Sequence, residues 1–110
     1  MEAQHKNLAS GRWFELTFFE QMANIGSEVE RTIAWKEKNN PKYSKMAFDR
    51  ALELLDLTIS DKRNLKRLKE LSRVRETLAD YFEFDNIYKS SDKSWRSYFT
   101  PFNWAARINC

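Results

Sequence analysis

Lys42-Tyr-Ser-Lys-Met-Ala-Phe-Asp-Arg-Ala-Leu-Glu-Leu-Leu-Asp-Leu-Thr-Ile59 is the stretch that decides the fold. Ala47, Ala51, Leu54 and Thr58 recur at spacings of three and four, which places them on one strip of a helix. Phe48, Leu52, Leu55 and Ile59 form the strip beside it. The two strips make a wide apolar face, and a face that wide predicts a central helix with more than one neighbour.

Outward from this helix, Asn39-Asn40-Pro41 reads as a turn, because a residue before proline is pushed out of the helical region. Upstream, Phe14, Phe18, Met22, Ile25, Val29 and Ile33 share a stripe and predict a helix over 12–39. Gly26 borders that stripe. A glycine inside a helix costs about 1 kcal/mol against alanine, so it predicts close approach of another backbone. Downstream, Ser60 or Asp61 can cap a third helix over 61–82, with Leu65, Leu68, Leu71, Leu78 and Phe82 inward. After the loop 83–91, Asp92 or a serine just before it can cap a fourth helix over 92–108. Pro101 is expected to interrupt that helix, since it lacks an N–H and crowds the preceding turn.

The expected fold is therefore all-α, an antiparallel four-helix bundle whose last helix is short and aromatic. The scarcity of turn formers agrees with it: two glycines and two prolines in 110 residues cannot serve the many turns of an all-β chain. Residues 1–10 are polar and aperiodic and read as a flexible N-terminus, with 11–110 as one domain. A net charge of +3 permits contact with nucleic acid without requiring it. Cys110 is the only cysteine, which excludes an internal disulfide and favours a reducing compartment. No apolar run approaches the roughly 18 residues of a membrane span, and Met1–Lys6 lacks the apolar stretch of a signal peptide. The expected location is the cytoplasm, with no membrane partner.

Three sets of residues carry candidate chemistry. Arg75 falls among Leu68, Leu71, Leu78 and Phe82 by spacing, and an arginine there needs a carboxylate or a bound anion. Glu28, Glu53, Asp56, Glu76 and Asp80 are its candidate partners. Glu53-Leu-Leu-Asp56 also places two carboxylates one turn apart, as a divalent cation such as Mg²⁺ would want. The all-α nucleoside triphosphate pyrophosphohydrolases pair that motif with an upstream Glu-x-x-Glu. Here the upstream element is Glu28-Val-Glu-Arg31, with a repelling cation in the fourth place. Metal is therefore not expected, and Glu28, Glu53 and Asp56 stand as the alternative.

The second set is Lys62, Lys66, Lys69 and Arg73, a basic stripe that could track phosphates, diluted by Glu70 and Glu76. The third is the aromatic tail: Trp95, Tyr98, Phe99, Phe102 and Trp104. It reads either as core plugging one end of the bundle or as a surface for self-association. Nucleophilic catalysis has no support, because His5 and Cys110 lie at opposite ends without partners and no Gly-rich phosphate loop exists. No cofactor is expected.

The stretches Phe48–Ile59 and Arg67–Phe82, with Ser94-Trp95, Tyr98-Phe99 and Phe102-Asn103, resemble a family of small uncharacterised prokaryotic helical proteins. That resemblance implies no activity. The chain is also similar to HEPN domains, helical bundles that include ribonucleases and non-catalytic partners of nucleotidyltransferases. Their nuclease signature is an arginine, four to six residues, then a histidine. Here Arg75, or Arg73, precedes Asp80, and a carboxylate of ordinary acidity cannot replace an imidazole poised near neutrality. The resemblance thus implies binding rather than cleavage. The expected function is therefore non-enzymatic association as a homodimer, with nucleic-acid binding by the basic stripe and metal-dependent nucleotide hydrolysis by Glu28, Glu53 and Asp56 as the alternatives.

Overall fold

The computed structural model describes residues 11–108, and its elements begin where side chains supply the hydrogen bonds that a helix end lacks. Thr17 starts α1 (Phe18–Glu37) with a capping box: its hydroxyl accepts from the Glu20 N–H, and the Glu20 carboxylate accepts from the Thr17 N–H. Asn40 caps α2 (Pro41–Ser60), where Pro41 occupies the first turn and forfeits no bond. Asn39 makes the sharp link between them at φ 59°. α3 (Leu68–Glu83) follows a 3-10 turn, Lys62–Arg67, which Asp61 caps. Ser91 caps α4 (Asp92–Ile108), accepting from the Ser94 N–H. The chain is an all-helical bundle, and no strand occurs among the described residues. The expected flexible segment 1–10, His5 and Cys110 lie outside those residues.

Four expectations need correction. The first helix does not begin at Arg12: a 3-10 turn, Arg12–Glu15, precedes it, and Thr17 breaks the path so that Trp13 can turn into the core. The third helix does not begin at 61, because Lys62–Arg67 winds more tightly. Leu65 and Leu68 consequently face solvent, and the inward stripe of α3 is Leu71, Val74 and Leu78. Pro101 does not interrupt α4; the helix runs through it, while the Thr100 hydroxyl donates to the Arg96 carbonyl just before. Finally, Gly26 receives a side chain rather than a backbone. A Cβ at Gly26 would stand 2.9 Å from the Cβ of Phe99, so only glycine lets α4 seat on α1.

Burial follows the stripes. Met22, Ile25, Val29 and Ile33 of α1 meet Phe48, Ala51, Leu54 and Leu55 of α2, with Trp13, Trp95 and Phe99 closing the core. Ser44 donates to the Thr32 carbonyl at 2.8 Å, Arg50 reaches Glu28, and Gln21 reaches Asp61, so partners climb along α2 as they descend along α1. α4 packs on α1 and α3 on α2. Arg96 of α4 clamps Glu30 and Glu37 of α1, and Arg75 of α3 clamps Asp56 of α2. No helix among the described residues is long and apolar enough to cross a membrane.

At one end of the core the buried polar groups form a closed circuit. The Trp13 indole N–H donates to the Thr58 hydroxyl at 3.0 Å, and Thr58 donates to the Leu54 carbonyl. The Gln21 amide donates to the Trp13 carbonyl and to Asp61, and the Asn64 amide donates to Gln21 and to the Thr58 carbonyl. Arg63 completes it from outside through three bonds to the Asp61 carboxylate. These contacts hold the Asp61 carboxyl down to about 2: the Arg63 side chain lowers it most, and burial opposes.

Candidate functional site

The carboxylates weighed for an anion or metal site are engaged in separate contacts, and of those named for Arg75 it is Asp56 that pairs with it. Arg75 is not on the core face but at its rim, because Val74 takes the inward position. From there it donates to Asp56 through Nε at 2.6 Å and Nη2 at 3.3 Å, in a half-exposed pair between α3 and α2. Asp80 does not meet Arg75. It is buried, and it accepts from the backbone N–H groups of Ile87 and Tyr88 at 3.0 and 3.1 Å, folding the loop back onto α3. Glu28 is buried between Arg31 and Arg50, with the Arg50 Nε at 2.8 Å. Glu28, Glu53 and Asp56 therefore do not converge, and no group of three metal-ligating side chains forms among the described residues.

A different arrangement brings two sets from the sequence together. Because α3 leans on α2 and α4 leans on α1, a groove of about 690 Å³ opens between α3 and α4. That volume lies in the range of small-ligand sites. Lys66, Lys69 and Arg73 line one side of it, and Ser94, Trp95 and Tyr98 line the other. The basic stripe and part of the aromatic tail thus face one space. Lys62 does not join it. The 3-10 winding advances about 120° per residue, so Lys62 and Lys66 sit about a third of a turn apart.

The tail is core only in part. Trp95 and Phe99 are buried, stacked with ring centres 6.1 Å apart. Tyr98 and Phe102 are partly covered, 5.5 Å apart. Trp104 points outward and is 64% exposed.

The polar groups of the groove are left unpaired. Lys66, Lys69 and Arg73 make no side-chain hydrogen bond or salt bridge with a described residue. The Trp95 indole nitrogen and the Tyr98 hydroxyl are buried atoms with no hydrogen-bond partner among the described residues. Such an orphan costs roughly 1–3 kcal/mol. Burial, and after it the negative charge of Glu70, pushes the Tyr98 hydroxyl up to about 12, so it remains an O–H donor at neutral pH. The groove therefore offers three cations and two unspent donors, against one carboxylate, Glu70.

Sequence reasoning missed that the two sets share a groove, because periodicity within a helix carries no information about which helices become neighbours. It also passed over Gln21, which lies in phase with Phe18, Met22 and Ile25. A polar residue on an apolar stripe was the available signal for the buried circuit. No protein-family model matches the chain, and no curated protein or solved structure matches it.

Proposed function

We propose that the chain is a nucleic-acid-binding module that works through the groove between α3 and α4, without catalysis. The observation that supports this reading is the row of unpaired cations Lys66, Lys69 and Arg73 beside the Trp95 and Tyr98 rings. Free cations in a groove release counterions from a phosphate chain at no internal loss, whereas cations locked in salt bridges would first have to be freed. The likeness to non-catalytic HEPN partners is part of the same proposal: Asp80 stands where their nuclease histidine would be and is tied to loop backbone.

Binding of a labelled oligonucleotide across a salt series tests it. Three phosphate contacts give a slope of about −2.1 to −2.7 in log affinity against log salt, or roughly 20- to 40-fold weaker binding from 50 to 200 mM. Lys66→Gln, Lys69→Gln and Arg73→Gln should each flatten that slope by about one, while Lys42→Gln on α2 leaves it unchanged. A salt-insensitive complex, or none, would sink the proposal.

Self-association is a second reading, favoured by Trp104 and Ile108, both more than half exposed near the end of α4. Light scattering at high micromolar concentration would then report a dimer that Trp104→Ser dissolves.

A further inference from the structure

Phosphate tracking explains the lysines and the arginine but leaves the indole N–H of Trp95 and the hydroxyl of Tyr98 unused. Both rings line the groove, and both polar atoms are buried without a partner. Trp95 is only 6% exposed, and its nitrogen is closed to bulk solvent. A phosphate would be a poor occupant for these donors alone, since the cations that neutralise it lie across the groove on the α3 side. The matching chemistry is a neutral group rich in acceptors: the carbonyl oxygens and ring nitrogens of a nucleobase edge. On the Watson–Crick edge those atoms are free in an unpaired strand and engaged in a duplex. The groove's volume of about 690 Å³ lies in the range of small-ligand sites, enough for one base swung out of a strand.

We infer that the groove takes single-stranded nucleic acid, with phosphates along Lys66, Lys69 and Arg73 and one base held on the α4 side by the Trp95 N–H and the Tyr98 O–H. This rests on the nucleic-acid reading above and adds to it. Both donors are closed to solvent, so taking up a base requires the partly covered Tyr98 ring to turn aside. Trp95 itself is packed edge to face on Tyr98 at 5.9 Å and stacked on Phe99, so it serves as a donor and not as a stacking platform.

The test compares three probes at one salt concentration: a single strand of about ten nucleotides, a hairpin duplex of equal charge, and an abasic strand of equal length. Wild-type protein should bind the base-bearing strand about tenfold more tightly than the abasic one, and more tightly than the duplex. Tyr98→Phe and Trp95→Phe should close the gap between base-bearing and abasic strands while keeping the salt slope. Lys69→Gln should weaken both strands alike and flatten the slope. Thermal melting of each variant confirms that it is folded. If the abasic strand or the duplex binds as tightly as the base-bearing strand, with the salt slope intact, the base site is wrong and phosphate tracking survives. If no probe binds, both readings fall.

Discussion

Trp13 and Trp95 are both buried core tryptophans, yet their indole nitrogens meet opposite fates. Trp13 donates to Thr58 inside a circuit in which Gln21, Asp61, Asn64 and Arg63 satisfy one another. Trp95 donates to no described residue, and neither does the neighbouring Tyr98 hydroxyl. The two regions share a core and differ in what their polar atoms are for. Where burial serves the fold, donors and acceptors are matched, because each unmatched one subtracts roughly 1–3 kcal/mol. Two orphans beside three unpaired cations leave the groove unmatched by the described residues, which is the condition the proposed binding role requires.

The largest effect expected from this contrast is at Trp13. Trp13→Phe removes the donor to Thr58 and leaves a void in a fully buried site, so unfolding in urea should show a loss of about 2–3 kcal/mol. Trp95→Phe leaves a similar void but removes an orphan, so it should fall within about 1 kcal/mol of wild type. Equal losses at the two positions would erase the distinction.

An intermediate effect is expected from acid. The Asp61 carboxyl is held at about 2 in the folded chain, below the unfolded value near 3.9. A depressed carboxyl adds stability that is complete above about pH 4 and lost as pH falls towards 2. Because Arg63 is half exposed, solvent screening limits that contribution to about 1–2 kcal/mol. Wild type should therefore lead Asp61→Asn at pH 6, and the lead should shrink by that amount at pH 2. A lead independent of pH would mean that the circuit does not depend on the charge.

The smallest effect has the opposite sign. Tyr98→Phe removes a buried, unpartnered hydroxyl and should raise stability by about 0.5–1 kcal/mol in the same urea assay. Few substitutions of a core-facing aromatic stabilise a protein. A loss of stability would show that the hydroxyl is already bonded within the fold.

The helices were legible in the sequence to the extent that their order came from local chemistry. Asn40, Asp61 and Ser91 cap where capping residues precede apolar periodicity, and the apolar face at Ala47, Phe48, Ala51, Leu54 and Leu55 is buried as its spacing predicts. The bond between Arg75 and Asp56 was among the candidates, but its setting was not, because one step round α3 exchanges Val74 for Arg75 at the core. The tight winding of Lys62–Arg67 was hidden as well. Its apolar spacing, Leu65 to Leu68, fits an α-helix, and only the demand that buried Asn64 reach Gln21 and Thr58 reveals the change. Among the candidate site residues, Lys66, Lys69, Arg73, Trp95 and Tyr98 were each visible, but the groove that joins them depends on helix neighbours.

That choice of neighbours makes the molecule resemble an open book. The α1–α2 seam is the spine, tied by Ser44 to Thr32 and Arg50 to Glu28, and α3 and α4 are the two covers. The gap between the covers is set at the spine and at the seat of Phe99 on Gly26, on the far side from the lysines. Residues outside the lining of the groove thus fix the calibre of the opening. A small slip of α1 along α2 would widen or narrow it while leaving every lining side chain in place.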